Sequence, residues 1–336
     1  MFQYLIVQLD DCSTSFCHYE SNVHQRNLMP LEILHDVIFF AMKENLMIQY
    51  VLPDYQLPDE YKRSMDTIDN GIIVSSLCED DDMKAIAKVV VLHDWAEIER
   101  IKYSINKAYL LRTTKEDLFK RYNLLRIPFA QASRFNIVIT DVEKFNQCDF
   151  QQYRQVLSCI GQVVEREYYR SHFIQCNILT DRLTIDRMNN CGAGDTTITV
   201  APNGRFYICP AFYMEDDENS VGDIWAGIKI PNAQLYKIKN APICRHCDAF
   251  HCKRCIWLNK NLTLEVNTPS KQQCVTSHLE RNTSLDMLIH LRKSVTFLEE
   301  KDDLKPINYL DPLDVKKDWD KDIIREELEK YHQENY

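Results

Sequence analysis

The sequence predicts an α/β protein in which a parallel sheet is followed by a small cysteine-rich module and a helical, acidic tail. Up to about residue 187, short apolar runs alternate with amphipathic stretches. That is the pattern of βα units on a parallel sheet, either open or curled into a partial barrel. Seven of the 13 cysteines lie between Cys191 and Cys274, and five of the seven glycines fall in the same stretch. The divisions expected from these changes of texture are residues 1–187, 188–283 and 284–336.

Strand-like runs occupy residues 4–9, 47–52, 71–77, 88–92, 109–112, 136–140 and 173–179. Helix-like stretches lie between them, including 31–44, 95–107 and 151–169. The last of these sets Val156, Ile160, Val163 and Val164 on one stripe, the period of a helix with one buried face. After residue 188, segments 196–200 and 205–208 flank an Asn203-Gly204 turn and read as a β-hairpin. From Leu285 the pattern is helical again. In the tail, Trp319, Ile323, Leu328 and Tyr331 recur at roughly helical spacing.

Composition narrows the function. Hydrophobic residues make up 45% of the 336 residues and charged residues 27%, ordinary for a soluble chain. A net charge of −10 gives no reason to expect nucleic acid or an anionic membrane as partner. No apolar run approaches the roughly 18 residues of a spanning helix. The opening MFQYLIVQLDD lacks a basic start and a cleavage site and reads as a first strand. A cytoplasmic protein is expected, whose cysteines are reduced thiols or metal ligands rather than disulfides. The first 187 residues hold only Gly71 and Gly161, so a glycine-rich loop wrapping a nucleotide phosphate is not expected.

The cysteines carry the chemistry. Cys244, Cys247, Cys252 and Cys255 fall within twelve residues, and a Cys-x₂-Cys step lets two thiolates face one metal centre. The hairpin, with Gly192 and Gly194, lets Cys191 approach Cys209. One tetrahedral metal or one cubane takes four thiolates, so seven cysteines point to two sites, one of them with three. Iron–sulfur clusters are the first reading. A structural zinc ribbon on Cys244, Cys247, Cys252 and Cys255 is the alternative, and it leaves Cys191, Cys209 and Cys274 without a role. His246 and His251 lie inside the cluster as further ligands, or beside the ligands, or in solvent. Cys78, Cys148, Cys159 and Cys176 lack ligand spacing and read as small buried hydrophobes. Asp10, Asp11 and Glu20 follow the first strand, where βα proteins place their sites. Acid–base or metal work there competes with a solvated loop.

Cys191, Gly204-x₄-Cys209, then Cys244, Cys247, Cys252 and Cys255, then Cys274 resemble the SPASM domain of radical-SAM peptide-modifying enzymes. The two later gaps of the central group are each one residue shorter than in that pattern. The resemblance implies a radical-SAM-like partial barrel before the SPASM domain, and two [4Fe–4S] clusters. It gives one cluster to Cys191, Cys209 and Cys255 and the other to Cys244, Cys247, Cys252 and Cys274. The Cys-x₃-Cys-x₂-Cys that would hold a third, S-adenosylmethionine-binding cluster is degenerate. Cys17 keeps the middle position, Ser13 and Glu20 stand at the outer two, and Cys12 lies one residue early. The glycine-rich motif expected after the second strand is replaced by Leu52-Pro53-Asp54-Tyr55-Gln56-Leu57.

From YLIVQLDDCSTSFCHYE through LMPLEIL and AMKENLMIQYVLPDY to the cysteine-rich end, the chain resembles the CXXX repeat peptide maturases, bacterial proteins associated with a ribosomally made cysteine-repeat precursor peptide. The resemblance implies that peptide as partner, with a second modification protein as a further one. It implies maturation of the peptide without the usual S-adenosylmethionine cluster. A non-catalytic or electron-transfer subunit is the alternative, and a zinc-stabilised binding module the third reading. The peptide is expected to bind where the sheet and the cluster module meet, with a substrate thiolate on the open iron of the three-cysteine cluster.

Overall fold

The computed structural model describes residues 2–22, 24–188, 191–299, 301–315, 329 and 333. Six parallel strands form in sequence order: β1 (Tyr4–Gln8), β2 (Met47–Val51), β3 (Asn70–Ser75), β4 (Val89–Leu92), β5 (Ala108–Thr113) and β6 (Arg134–Ile139). Two more strands extend the sheet beyond β1. β7 (Thr197–Val200) pairs parallel to β1, and β8 (Phe206–Tyr207) returns antiparallel to β7. The order β6-β5-β4-β3-β2-β1-β7-β8 makes one open sheet. The hairpin predicted at Asn203-Gly204 therefore completes the large sheet rather than standing apart. Gly204 takes φ +74°, while the Asn203 side chain accepts from Arg205 N (3.0 Å) and donates to the Tyr207 hydroxyl (2.8 Å).

Alternating side chains divide the sheet's faces. Leu5, Val7, Ile48 and Tyr50 face the main core, together with α1 (Leu31–Glu44) and its Leu34, Val37 and Ala41. The other face carries Ile6, Val51, Ile73 and Val91, against which Phe16 packs from the loop after β1. That small face thus receives the loop carrying Cys17.

Between the strands lie α2 (Asp59–Met65), α3 (Asp81–Ile86), α4 (Lys115–Arg121), α5 (Arg126–Gln131) and α6 (Gln147–Tyr169). α6 starts four residues before the predicted stretch 151–169 because Asn146 and Asp149 form a reciprocal capping box. After α7 (Thr180–Thr184) come α8 (Pro210–Glu215), the two-residue strands β9 (Gly222–Asp223) and β10 (Gly227–Ile228), α9 (Ile256–Thr263) and α10 (Lys271–Leu291). Two short turns, α11 (Thr296–Glu299) and α12 (Pro312–Val315), follow.

Three elements differ from expectation. Residues 95–107 hold only a 3₁₀ turn, Trp95–Glu97. The Glu97 carboxylate folds back to accept from Asp94 N (2.7 Å) and His93 N (3.2 Å), and beyond it Tyr103 packs on Tyr109 with ring centroids 4.8 Å apart. Residues 173–179 form no strand. After one bridge between Gln175 and Arg134, the Asn177 amide takes over the pairing, accepting from Ile137 N (2.7 Å) and donating to Ile137 O (2.8 Å). The final helical region starts at Lys271 instead of Leu285, capped by Ser270, and packs along α6. Trp319, Ile323, Leu328 and Tyr331 lie outside the described residues. No described helix is long and apolar enough to cross a membrane.

Candidate metal centres

The cysteine-rich segment is pulled together by backbone devices. Gly192 and Gly194 both take left-handed φ (+70° and +76°), and the Gly192 carbonyl accepts from the amides of Asp195, Thr196 and Thr197, each at 2.9 Å. A side chain at Gly194 would place its Cβ 2.5 Å from the Tyr236 ring. The tight loop turns Cys191 toward the central cysteines, where its amide donates to Lys253 O (3.2 Å). Cys209 lies two residues after β8, at the start of α8, and Cys255 sits at the start of α9. Cys244 opens a 3₁₀ turn, and Cys274 lies in the first turn of α10.

Seven thiols thereby fall into two electrostatic neighbourhoods, with an eighth joining one of them. Cys209 feels the charges of Cys17, Cys255 and Cys191, and Cys255 those of Cys191 and Cys17. Cys274 feels Cys252, Cys244 and Cys247, and Cys244 feels Cys252 and Cys247. The two sets have the membership implied by the SPASM resemblance, with Cys17 added to the first. Cys244 is buried, Cys191 is exposed and the others are half-buried, and burial is the first cause of every shift. It pushes Cys17 and Cys244 up to about 12 and Cys247 up to about 11, and it raises Cys209, Cys252, Cys255 and Cys274 as well. Buried thiols that repel one another as thiolates are stabilised by a cation between them.

Cationic and polar groups flank both sets. Arg254 is 2% exposed and faces Cys244, Cys252 and Cys191. It donates to Tyr236 O, while its Nε and Nη1 find no protein partner among the described residues. A buried guanidinium with two unanswered N–H groups between thiol sets fits an anionic centre, because cluster sulfurs accept hydrogen bonds. His278, which sequence reasoning missed, brings Nε2 to 3.4 Å from the Cys247 sulfur while Nδ1 faces Leu310 O. Its signal, a histidine one helical turn after Cys274, was available. Of the two histidines singled out beforehand, His246 is exposed, and His251 is buried against Glu280 (3.1 Å), which also accepts from Tyr153 (2.6 Å). Arg281, fully buried, grips Asp248 through two hydrogen bonds (3.0 and 2.5 Å) and ties α10 to the Cys247 loop.

The front end is built differently from a three-cysteine loop. Ser13 turns inward and its hydroxyl accepts from Asp10 N (2.9 Å), while the exposed Glu20 pairs with Arg112. Cys12 lies beside Asp10, Arg26 and Tyr55, away from the Cys17 set. Asp10 and Asp11 are buried and not part of a solvated loop. Asp10 accepts from Cys12 N, Asn27 N and the Tyr55 hydroxyl (2.9, 3.1 and 2.6 Å), and Asp11 accepts from Tyr213 of α8 (2.5 Å). Both carboxylates hold loops in place, and Asp11 joins the front end to the cysteine-rich segment. Cys78 and Cys176 are buried as expected, whereas Cys159 is half-buried and Cys148 is exposed at the start of α6.

Two cavities lie near these groups. One of about 110 Å³ is lined by His18, Ile139, Ile178, Cys252, Arg254 and Cys255, at the junction of sheet and cysteine-rich segment. It is smaller than the several hundred cubic ångströms typical of ligand pockets. A second, of about 370 Å³, opens at the C-terminal ends of β4 to β6 between Glu20, His93, Arg112, Thr114, Arg121 and Thr140.

No family model and no curated protein matches the sequence. Among solved structures, native anSMEcpe with bound AdoMet and Cp18Cys peptide superposes with a TM-score of 0.59 at 11% identity, over 88% of this chain and 100% of that one. Histidine-tagged anSMEcpe with bound AdoMet gives 0.59 at 12% identity, over 88% and 97%. Streptococcus suis SuiB bound to S-adenosylmethionine gives 0.50 at 13% identity, over 81% and 77%. The chain therefore shares the α/β fold of these proteins; here an open, mostly parallel sheet is continued by a cysteine-rich segment and helices.

Proposed function

We propose that this chain is an iron–sulfur protein acting in the maturation of a ribosomally made, cysteine-repeat peptide, and that it does not itself cleave S-adenosylmethionine. The observation that carries the reading is the sorting of seven thiols, from buried Cys244 to exposed Cys191, into two sets around Arg254. Cys244, Cys247, Cys252 and Cys274 would hold one [4Fe–4S] cluster, and Cys191, Cys209 and Cys255 the other. Clusters bound there supply one-electron transfer, at a potential set by burial and by hydrogen bonds to sulfur. Arg254, whose Nε and Nη1 have no protein partner among the described residues, is placed to give those hydrogen bonds.

One argument favours clusters over zinc: a zinc ribbon on Cys244, Cys247, Cys252 and Cys255 leaves Cys191, Cys209 and Cys274 without a role. Among the described residues, no group of three His, Cys, Asp or Glu side chains is arranged to hold a single metal ion. The structural neighbours, one of them holding a peptide alongside AdoMet, support a peptide partner for this chain. The roles of Ser13 and Glu20 favour an electron-carrying or peptide-holding subunit over an autonomous radical enzyme. A second modification protein would then supply the bond-making step.

Anaerobic reconstitution tests the reading. The protein should turn brown, with broad absorption near about 400 nm and about eight iron per chain. Stoichiometric zinc with no iron would replace it by the zinc-stabilised binding module.

A further inference from the structure

The loop after β1 does more than lose a cluster. Phe16 lays it on the sheet face formed by Ile6, Val51, Ile73 and Val91, and its ring meets Tyr19 edge-on at 5.8 Å. Arg112, at the end of β5, then holds it from the far side. Its Nε donates to Cys17 O (2.9 Å), its Nη2 to Tyr19 O (2.8 Å), and its fork grips Glu20. The Tyr19 hydroxyl donates to Thr14 O (3.2 Å) and closes the turn. Loop residues 16–20 are therefore fixed at both ends, with Cys17 in the middle. The next residue, His18, lines the same small cavity as Cys252, Arg254 and Cys255, and its Nδ1 has no protein partner among the described residues. Tyr19, in turn, lies beside both Cys17 and Cys209. From opposite ends of the chain, the loop and the cysteine-rich segment meet at one place, and that place has three cysteines where a cubane needs four.

We propose that Cys17 is the fourth thiolate of the site formed by Cys191, Cys209 and Cys255, so that a loop of the parallel sheet closes a cluster otherwise held by the cysteine-rich segment. The proposal rests on the cluster reading above and revises one expectation of the sequence. That cluster has no open iron for a substrate thiolate. Cys17, which by sequence alone looks like a remnant of an S-adenosylmethionine site, has a present use. Arg112 is its positioning residue, because it sets the backbone that presents the thiol. One consequence is architectural. The cluster becomes a cross-link between the front of the sheet and cysteines 174 to 238 residues later, and its loss would loosen both.

The test compares the full chain with its Cys17→Ala, Cys17→Ser and Cys12→Ala variants after anaerobic reconstitution with ⁵⁷Fe and sulfide. The wild type and Cys12→Ala should hold about eight iron per chain and keep them on mild ferricyanide oxidation. Their spectra should not respond to a small added thiol. Cys17→Ala should lose about one iron per chain on the same oxidation and give a three-iron EPR signal. Added thiol should shift one iron in its Mössbauer spectrum before oxidation. If Cys17→Ala does not stay soluble, Cys17→Ser should still fold, with one iron shifted toward oxygen ligation. Wild-type iron that responds to thiol, or a Cys17 variant indistinguishable from wild type at full loading, overturns the assignment and leaves the two-cluster reading standing. Zinc in place of iron in the wild type overturns both.

Discussion

The Arg281–Asp248 pair offers a sharp test of how the cysteine-rich segment is held, because its two members are buried so unequally. The Arg281 side chain is fully buried, whereas that of Asp248 is 37% exposed. Burial pushes the Asp248 carboxyl up, but the hydrogen bonds and charge of Arg281, with the charge of Arg182, outweigh it and hold the group below the ordinary carboxylate range. Removing the acid by Asp248→Ala leaves a buried guanidinium without its counter-charge, with only Lys305 O and Asn282 Oδ1 to accept from it. Breaking a buried pair that way costs about 3–5 kcal/mol. Solvent already reaches the acid, so about 2–3 kcal/mol is expected here. Removing the base by Arg281→Met leaves an acid that water and Arg182, 3.6 Å away, can still serve. That change should cost about 1 kcal/mol or less. The double variant should resemble Arg281→Met, giving a coupling of about 2–3 kcal/mol of the sign that marks a stranded charge. Urea unfolding at pH 7, with equal m-values across the four proteins, measures it. An Arg281→Met cost exceeding that of Asp248→Ala would refute the reasoning and mean that the arginine acts through its packing.

Three further outcomes follow from the geometry. Under reducing, anaerobic conditions the protein should release no 5′-deoxyadenosine from S-adenosylmethionine above a no-protein control, and turnover would mean that ligands other than Ser13 and Glu20 rebuild that site. Burial raises the Asp80 carboxyl, but Lys62 and the amides of Met83 and Leu57 outweigh it and lower it. Its contribution is thus present above the unfolded Asp value of about 3.9 and fades as pH falls through the still lower folded value. Asp80→Asn should accordingly cost about 1 kcal/mol at pH 7 and progressively less below about pH 4, as read from urea midpoints. Gly194→Ala should lower stability by about 1–3 kcal/mol, through its left-handed φ and the collision with Tyr236, and should reduce iron at the Cys191 site before the other.

Much of the fold was legible because period and length speak clearly for parallel βα units. Six of the seven predicted strands form, and α1 matches its predicted span to the residue. Expectation failed where side chains replaced backbone pairing. Asn177 answers Ile137 with its amide, and Glu97 stops a helix by bending back onto its own cap. Neither substitution leaves a mark in hydrophobic period, since both depend on where a distant or preceding amide comes to lie. At the site, the seven cysteines were visible from spacing alone. Arg254 and Arg281 were not, because a charged residue in a polar stretch looks solvated until its surroundings are known. Asp10 and Asp11 misled for the same reason, being acidic and after a strand yet buried under Tyr55 and Tyr213.

Cys17 shows why position in a motif and position in space are separate kinds of information. Along the chain, it is the middle member of a three-cysteine pattern whose outer members are gone, and two losses argue that the third position is idle. In space, the loop bearing it is fixed by Phe16, Arg112 and Tyr19 with a firmness that an idle loop does not require. Ser13 and Glu20 are part of that fixing, since one closes the turn onto Asp10 and the other receives the Arg112 fork. Ser13 and Glu20, which stand where an S-adenosylmethionine cluster would need cysteines, therefore support the loop that presents Cys17. On the assignment proposed for Cys17, loss of one site and completion of another are a single rearrangement of residues 13–20. The chemistry then left to the chain is that of fully ligated clusters, suited to moving electrons rather than to binding substrate at iron.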